Sequence, residues 1–406
     1  MDRQIEKQSA KGEVVQQGCI LVATLFAFAT SFYAWRYSPH VEGLRRVYPT
    51  WYYGDFVIFD GYGPYSQWLA AAIVRRPGAI AHLVEFLRFD PHAHTPLYPF
   101  LCALVILGVG NVVVAHVSVT VAASLVALWL FTVLLRTQWP TSPPRVRQLA
   151  YLGFLLHPGV ASGLARPMPD SLALALVLGF FLALLRFHDT GRLRWLTSAA
   201  VLAVCAILTK TVMVLLVLTA VFWWILDFRS AHRATTRRRL VRIGAPLLAG
   251  IVVGVVFFWW LLRETEAMNV LATAACSAWY TVTTPSLLFG HVPAFALFLV
   301  IAFGLYPLVW RNVCFRREEL PGVRLLVLWG GIYLIQRIVF VGFNLAYGRA
   351  RYTMPLAPAV VLLSVPGLER LWQRGGWHRW LASAPWFFHL AIWCTYLLSL
   401  KGSVSR

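Results

Sequence analysis

Long apolar stretches recur along the whole chain, at about residues 18–35, 113–135, 148–165, 171–187, 195–209, 211–226, 244–262, 292–310, 324–343, 353–369 and 381–399. A helix needs roughly 20 apolar residues to cross the hydrocarbon core of a bilayer, so these stretches read as spans. With 59% hydrophobic residues, 13% charged residues and a mean hydropathy of +0.67, a chain of 406 residues cannot hide its apolar surface in a soluble core. The expected fold is an all-α polytopic membrane protein with about eleven transmembrane helices. No repeat and no appended soluble domain is visible, so residues 1–406 are read as one transmembrane domain.

The segment Thr95–Val109 is also apolar but short; Pro96 and Pro99 open it, and Gly108, Gly110 and Asn111 cut it from the next span. It is expected to lie at the outer interface or to be partly re-entrant. A twelfth span there would invert everything downstream, and the basic residues argue against it. Lys and Arg concentrate in short cytoplasmic loops. With the N-terminus inside, eleven spans place Arg136, Arg145 and Arg147, then Arg186, Arg192 and Arg194, then the Arg229–Arg242 run, all on the cytoplasmic side. The C-terminus is then external, and a bacterial inner membrane or the endoplasmic reticulum is the expected location. The net charge of +20 is spread over these loops rather than one face, so no nucleic-acid partner is expected. The run "RSAHRATTRRR" reads instead as an anchor near anionic membrane lipid.

The six cysteines show neither CxxC spacing nor a histidine cluster, so no zinc site is expected. The first span follows a polar head without a small-residue cleavage site, which marks it as an anchor.

Between the first two spans lies a polar and aromatic loop, residues 37–98, expected to hold short interfacial helices. Five of the 16 acidic residues fall in it: Glu42, Asp55, Asp60, Glu85 and Asp90. On the eleven-span topology it is external, and its acids mark it as a place for chemistry. Asp60 ends the β-like run Phe56–Phe59 and opens the turn Asp-Gly-Tyr-Gly-Pro, before a helical stretch from about Tyr65. A carboxylate at such a corner can serve as a general base or simply cap the following helix. Asp55 is its nearest rival. In "FDPHAHTPLYPFLCAL", Asp90, His92 and His94 suit a weak divalent-metal site, an acceptor pocket or a solvated interface turn.

Basic groups at the external ends of later spans have a different character. Lys210 lies in "AILTKTVMV" at an outward turn, Arg351 in "YGRARYTMPLAP" before a span, and Arg337 inside the span "LLVLWGGIYLIQRIVFVGF". An ionisable side chain within a membrane helix is expensive and points to function, whereas snorkelling to the headgroups accounts for Lys210. Together the three suggest an anion site such as a lipid-linked phosphate. Asp170, opening "PDSLALALVL", reads as a helix cap, with Arg166 either pairing with it or adding to the anion site.

The order of these signals resembles the GT-C type of integral-membrane glycosyltransferase, in particular the polyprenyl- or dolichyl-phosphate-sugar transferases that include protein O-mannosyltransferases and the aminoarabinose transferase of lipid A. "FDGYGPY" is similar to the first-loop motif, "HTPLYPFLCAL" to the "HPPL" segment through His94, Pro96 and Leu97, and "PDSLALAL" to the opening of the fourth span. "LTKT" resembles the Lys-bearing turn and "RARYTMPLAP" the "RY-x-LP" segment. Asp60 is followed by Gly61, where members often carry Glu.

The resemblance implies an inverting transfer of a sugar from a polyprenyl-phosphate donor to a hydroxyl of a glycan, lipid or protein. Asp60 becomes the counterpart of the catalytic carboxylate, with Asp55 and Asp90 as alternatives. Lys210, Arg351, Arg337 and Arg166 are the candidate phosphate ligands, and His94, Tyr65 and Tyr352 the candidate acceptor pocket. No cofactor is required on this reading; a divalent metal is allowed but not expected, and no metal ligand is assigned. The competing classes are a transporter or flippase of a lipid-linked saccharide, expected to show internal pseudo-symmetry, and a polysaccharide polymerase or ligase.

Overall fold

A computed structural model describes residues 2–36, 52–53, 56–57, 62–75, 95–230, 296–339 and 350–404. Helix α1 (Asp2–Arg36) is followed by a ladder of two short antiparallel strands, β1 (Tyr52–Tyr53) and β2 (Phe56–Val57), in which Tyr53 faces Phe56. Then come α2 (Tyr62–Arg75), α3 (Leu97–Val109), α4 (Val112–Gln138), α5 (Pro144–Leu155), α6 (Pro158–Gly163), α7 (Asp170–Thr190) and α8 (Leu193–Thr209). A 3-10 turn, Thr211–Val214, leads into α9 (Leu215–Ser230). After helical residues 296–303 follow α10 (Tyr306–Trp310), α11 (Leu320–Val339), a 3-10 segment Ala350–Leu356, α12 (Ala357–Arg374) and α13 (Trp377–Val404).

Among the described residues, five helices are long and apolar enough to cross a membrane: Gln17–Arg36, Val112–Gln138, Asp170–Thr190, Tyr352–Arg374 and Trp377–Leu398. Their burial sorts them by position. In Asp170–Thr190 and Tyr352–Arg374 the apolar window is 72% and 83% buried, against 22% for Gln17–Arg36 and for Trp377–Leu398. The first two helices form the centre. The other two expose large apolar side chains such as Leu21, Val22, Leu25, Phe387 and Leu398, a surface suited to acyl chains rather than water. The expected span 244–262 lies outside the described residues.

The break predicted between α3 and α4 is present. Gly110 takes a left-handed conformation (φ 66°) that closes α3 through its N–H to the Ile106 carbonyl. Asn111 then caps α4, its side chain accepting from the Val114 N–H at 3.0 Å. Helix α3 has 13 residues, short of the roughly 20 a span requires.

Two expected spans are not continuous helices. In 148–165 the chain breaks at Leu156–His157, because Pro158 has no N–H to continue α5 and instead opens α6 at its first turn. His157 fills the gap: its Nδ1 accepts from the Gly159 N–H (3.2 Å), and its Nε2 donates to the Ala302 carbonyl (3.0 Å). In 292–310 the chain turns at Gly304 and restarts at α10 with Pro307 in the first turn.

The main apolar core surrounds α7. It includes Phe131 stacked on Phe154 at 3.9 Å, and Trp329, whose ring meets Phe181 edge-on and whose Nε1–H donates to the Pro355 carbonyl at 2.7 Å. That bond satisfies a buried indole and fastens the 350–356 segment to α11.

Candidate functional site

Consecutive helices joined by a short turn run antiparallel, so their far ends meet. Only Gly191 and Arg192 separate α7 from α8, and the two helices pack along each other. The start of α7 and the end of α8 therefore share one end of the bundle. Asp170 opens α7, Lys210 follows the last residue of α8, and the Lys210 ammonium donates to the Asp170 carboxylate in a close ion pair. The expectation that Asp170 serves as a cap is corrected. The cap position is Pro169, without a side-chain bond, and the carboxylate in the first turn binds Lys210.

The snorkelling account of Lys210 is corrected as well. Its side chain is 21% exposed and that of Asp170 6%, so the ammonium is held in protein rather than extended into headgroups. Its backbone is fixed on both sides: the Lys210 N–H donates to the Ala206 carbonyl, and its own carbonyl accepts from the Met213 N–H, both at 2.9 Å.

The 350–356 segment brings Tyr352 to the same place. Lys210 Nζ lies 5.6 Å from the Tyr352 ring centroid, and the Arg337 guanidinium carbon lies 4.6 Å from it. Arg337, in the last turn of α11, also lies 5.0 Å from the ring of Tyr333, one turn earlier. Its Nε and Nη2 donate to the Tyr333 hydroxyl oxygen at 3.2 and 2.7 Å, and that hydroxyl donates onward to the Tyr352 carbonyl at 3.0 Å. Arg337 is 8% exposed, and among the described residues its partners are a phenol oxygen and two aromatic faces. No carboxylate balances its charge there.

Other predicted residues are placed as follows. The backbone of Arg351 lies in the 350–356 segment, next to Tyr352; its side chain is outside the described residues. Arg166 is half-buried in the turn before Asp170. Tyr65 is on α2, stacked on Trp68 with ring centroids 6.2 Å apart, on an element separate from those that hold the Lys210 cluster. Asp60, Asp55, Asp90 and His94 lie outside the described residues. Thr95, next to His94, is buried, and its hydroxyl donates to the Thr209 carbonyl, adjacent to Lys210. The end of the first loop is thereby tied to the Lys210 turn.

Among the described residues no group of three or more His, Cys, Asp and Glu could hold a metal ion. A buried polar cluster that sequence reasoning missed joins α2 to α3 and α4. The Ser66 hydroxyl donates to the Gly63 carbonyl (3.0 Å), so its oxygen accepts from His116 Nε2–H at 2.8 Å. His116 Nδ1 then accepts from the Tyr98 hydroxyl at 3.3 Å, and Tyr98 also meets Thr120 Oγ1 at 3.0 Å. Ser66, Tyr98, His116 and Thr120 are each fully buried. The only sequence signal was a lone His in an apolar helix.

No family model matches this chain, and a comparison with curated proteins finds no match.

Proposed function

We propose that the chain is an inverting glycosyltransferase that takes its sugar from a polyprenyl-phosphate donor at the outer membrane face. The observation that carries this reading is the buried Arg337, whose charge no described carboxylate balances, sharing the Tyr352 ring with Lys210. A buried cation without a counter-ion is costly unless an anion completes it. Arginine offers a planar fork suited to phosphate oxygens, and the apolar helices around it suit a lipid tail. The eleven-span topology, with a cytoplasmic N-terminus and external C-terminus, puts this end of the bundle outside, in a bacterial inner membrane or the endoplasmic reticulum.

On this reading Asp60 takes the proton from the acceptor hydroxyl as that oxygen attacks the anomeric carbon. The bond from that carbon to the phosphate oxygen breaks, and the polyprenyl phosphate leaves with the electron pair. Arg337 and Lys210, with Arg351 and Arg166 as further ligands, stabilise the charge that grows on it. His94, Tyr65 and Tyr352 are the proposed acceptor contacts. The resemblance of "FDGYGPY", "HTPLYPF", "LTKT" and "RARYTMPLAP" to the polyprenyl-phosphate-sugar transferases supports the assignment.

The test is to incubate membranes with a panel of radiolabelled polyprenyl-phosphate sugars and a glycan, lipid or peptide acceptor. Wild type should transfer label, while Asp60→Asn and Arg337→Gln should not, at equal membrane abundance. Near-normal transfer by Asp60→Asn would sink the base assignment. The placement of Arg337 within a helix also favours a second reading, a transporter or flippase of a lipid-linked saccharide. Movement of an intact labelled donor across proteoliposomes, without cleavage of the sugar–phosphate bond, would establish that reading instead.

A further inference from the structure

The Lys210–Asp170 pair presents a difficulty for any phosphate site, because the Lys210 ammonium is already bound to a carboxylate. Three observations bear on how that pair behaves when an anion arrives. First, Lys210 is the more accessible partner, with a side chain 21% exposed against 6% for Asp170. An incoming anion therefore meets the ammonium before the carboxylate. Second, backbone hydrogen bonds fix Lys210 from both α8 and the following 3-10 turn. The main chain cannot follow a ligand, so any adjustment is confined to the four-carbon side chain. Third, Asp170 lies in the first turn of a 21-residue helix whose cap, Pro169, contributes no side-chain oxygen. The N-terminal end of a helix and its dipole favour a negative charge there, so the carboxylate keeps a stabilising environment after the ammonium swings away.

The destination of that swing is also defined. Lys210 Nζ and the Arg337 guanidinium lie 5.6 and 4.6 Å from one ring centroid, that of Tyr352. Both cations therefore border one ring, and the flexible four-carbon stem of Lys210 lets its ammonium close the remaining gap to a phosphate held on Arg337.

We propose that Asp170 is an internal stand-in for the ligand anion: it holds Lys210 until a phosphate contacts Arg337, and then yields the ammonium to the phosphate. This rests on the reading of the cluster as a phosphate site. The exchange makes the site selective for ligands that can engage Arg337 and Lys210 together, since either contact alone leaves the Lys210–Asp170 pair intact. It also weakens binding by the fraction of time that Lys210 spends on Asp170, so removing the carboxylate should tighten it.

The test measures binding of two probes, a short-chain prenyl monophosphate and inorganic phosphate, to the full-length protein in detergent. The variants are Asp170→Asn, Lys210→Gln, the double variant and Arg337→Gln, each checked for monodispersity and melting temperature. Wild type should bind the prenyl phosphate, and Arg337→Gln should lose that binding. Asp170→Asn should bind it about tenfold more tightly, as expected when a competing state occupied about nine-tenths of the time is removed. The gain should vanish in the double variant, because it acts through Lys210. A gain that survives in the double variant, or no gain in Asp170→Asn, overturns the exchange while leaving the phosphate site standing. Absence of prenyl phosphate binding by wild type overturns both. Comparable affinity for inorganic phosphate would identify a free phosphate rather than a lipid headgroup as the ligand, with the exchange judged by the same variants. If Asp170→Asn does not fold, difference infrared spectra of the wild type decide: prenyl phosphate should shift a carboxylate stretching band, and an unchanged carboxylate region overturns the exchange.

Discussion

The guanidinium of Arg337 and the ring of Tyr352 are 4.6 Å apart, although a stretch of chain separates the two residues, and the Tyr333 hydroxyl closes the link by bonding both the guanidinium and the Tyr352 carbonyl. Arg337 is thus held by oxygen on one side and aromatic faces on the others. The three residues form one unit, and substitutions in it should separate charge from position.

Tyr333→Phe keeps the ring under Arg337 but removes the oxygen that accepts from Nε and Nη2 and donates to Tyr352. A hydrogen bond to a charged group contributes about 1.5–3 kcal/mol. On the proposed function, donor use, read as kcat/KM for a polyprenyl-phosphate sugar, should fall by about tenfold to a hundredfold. Arg337→Lys should fall at least as far, since an ammonium lacks the fork.

At Tyr352 the ring faces both cations and the carbonyl accepts from Tyr333, and a phenylalanine keeps both. Tyr352→Phe should therefore bind prenyl phosphate nearly as well as wild type. Tyr352→Leu removes the face shared by Lys210 and Arg337, and binding should weaken by about 0.5–2 kcal/mol for the lost cation–π contacts. Equal affinities for the Phe and Leu variants would show that the ring is only a spacer.

His116 is the hub of the buried cluster that fastens α2 to α3 and α4. His116→Ala removes one hydrogen bond each from Ser66 and Tyr98, which keep the Gly63 carbonyl and Thr120 as partners. Each lost hydrogen bond costs about 0.5–1.5 kcal/mol, and the deleted ring leaves a cavity as well, so the melting temperature in detergent should drop clearly. Ser66→Ala removes a single hydroxyl and should cost about 1 kcal/mol. Protease cleavage in the first loop should rise in parallel, because α2 is the element released.

Much of this architecture is legible in the sequence, for identifiable reasons. Apolar stretches of span length have few alternatives to helix, and Gly108, Gly110 and Asn111 carry the chemistry of a helix stop and start, as found. The breaks at His157–Pro158 and Gly304–Leu305 were harder, because hydropathy is blind to a missing N–H inside an apolar run. The Asp170–Lys210 pair was within reach. Two adjacent spans with a two-residue connection at one end must bring their other ends together, and each of those ends carries one charge. The clusters around His116 and His157 were not, since their partners are hydroxyls and carbonyls distant in sequence. Arg337 stood out because arginine in a span is expensive, but only the fold supplies Tyr333 and Tyr352 as its surroundings.

Gly304 and Gly331 offer a matched pair for testing the packing. Gly304 has φ +49°, and a Cβ there would sit 2.7 Å from His389 Nε2 and 2.9 Å from Phe388 Cδ1. Gly304→Ala thus combines a left-handed backbone, disfavoured by roughly 1–2 kcal/mol for a residue with a Cβ, with overpacking against two rings, typically about 1–3 kcal/mol. His389 is fully buried, so its ring has no solvent to move into. Gly331, on α11, has nothing within 4 Å of an added Cβ, and alanine favours a helix interior over glycine by about 1 kcal/mol. Melting in detergent should therefore move in opposite directions, with Gly304→Ala well below wild type and Gly331→Ala at or slightly above it. A Gly304→Ala protein that melts like wild type would mean that the turn between residues 296–303 and α10 is not packed against α13 as described.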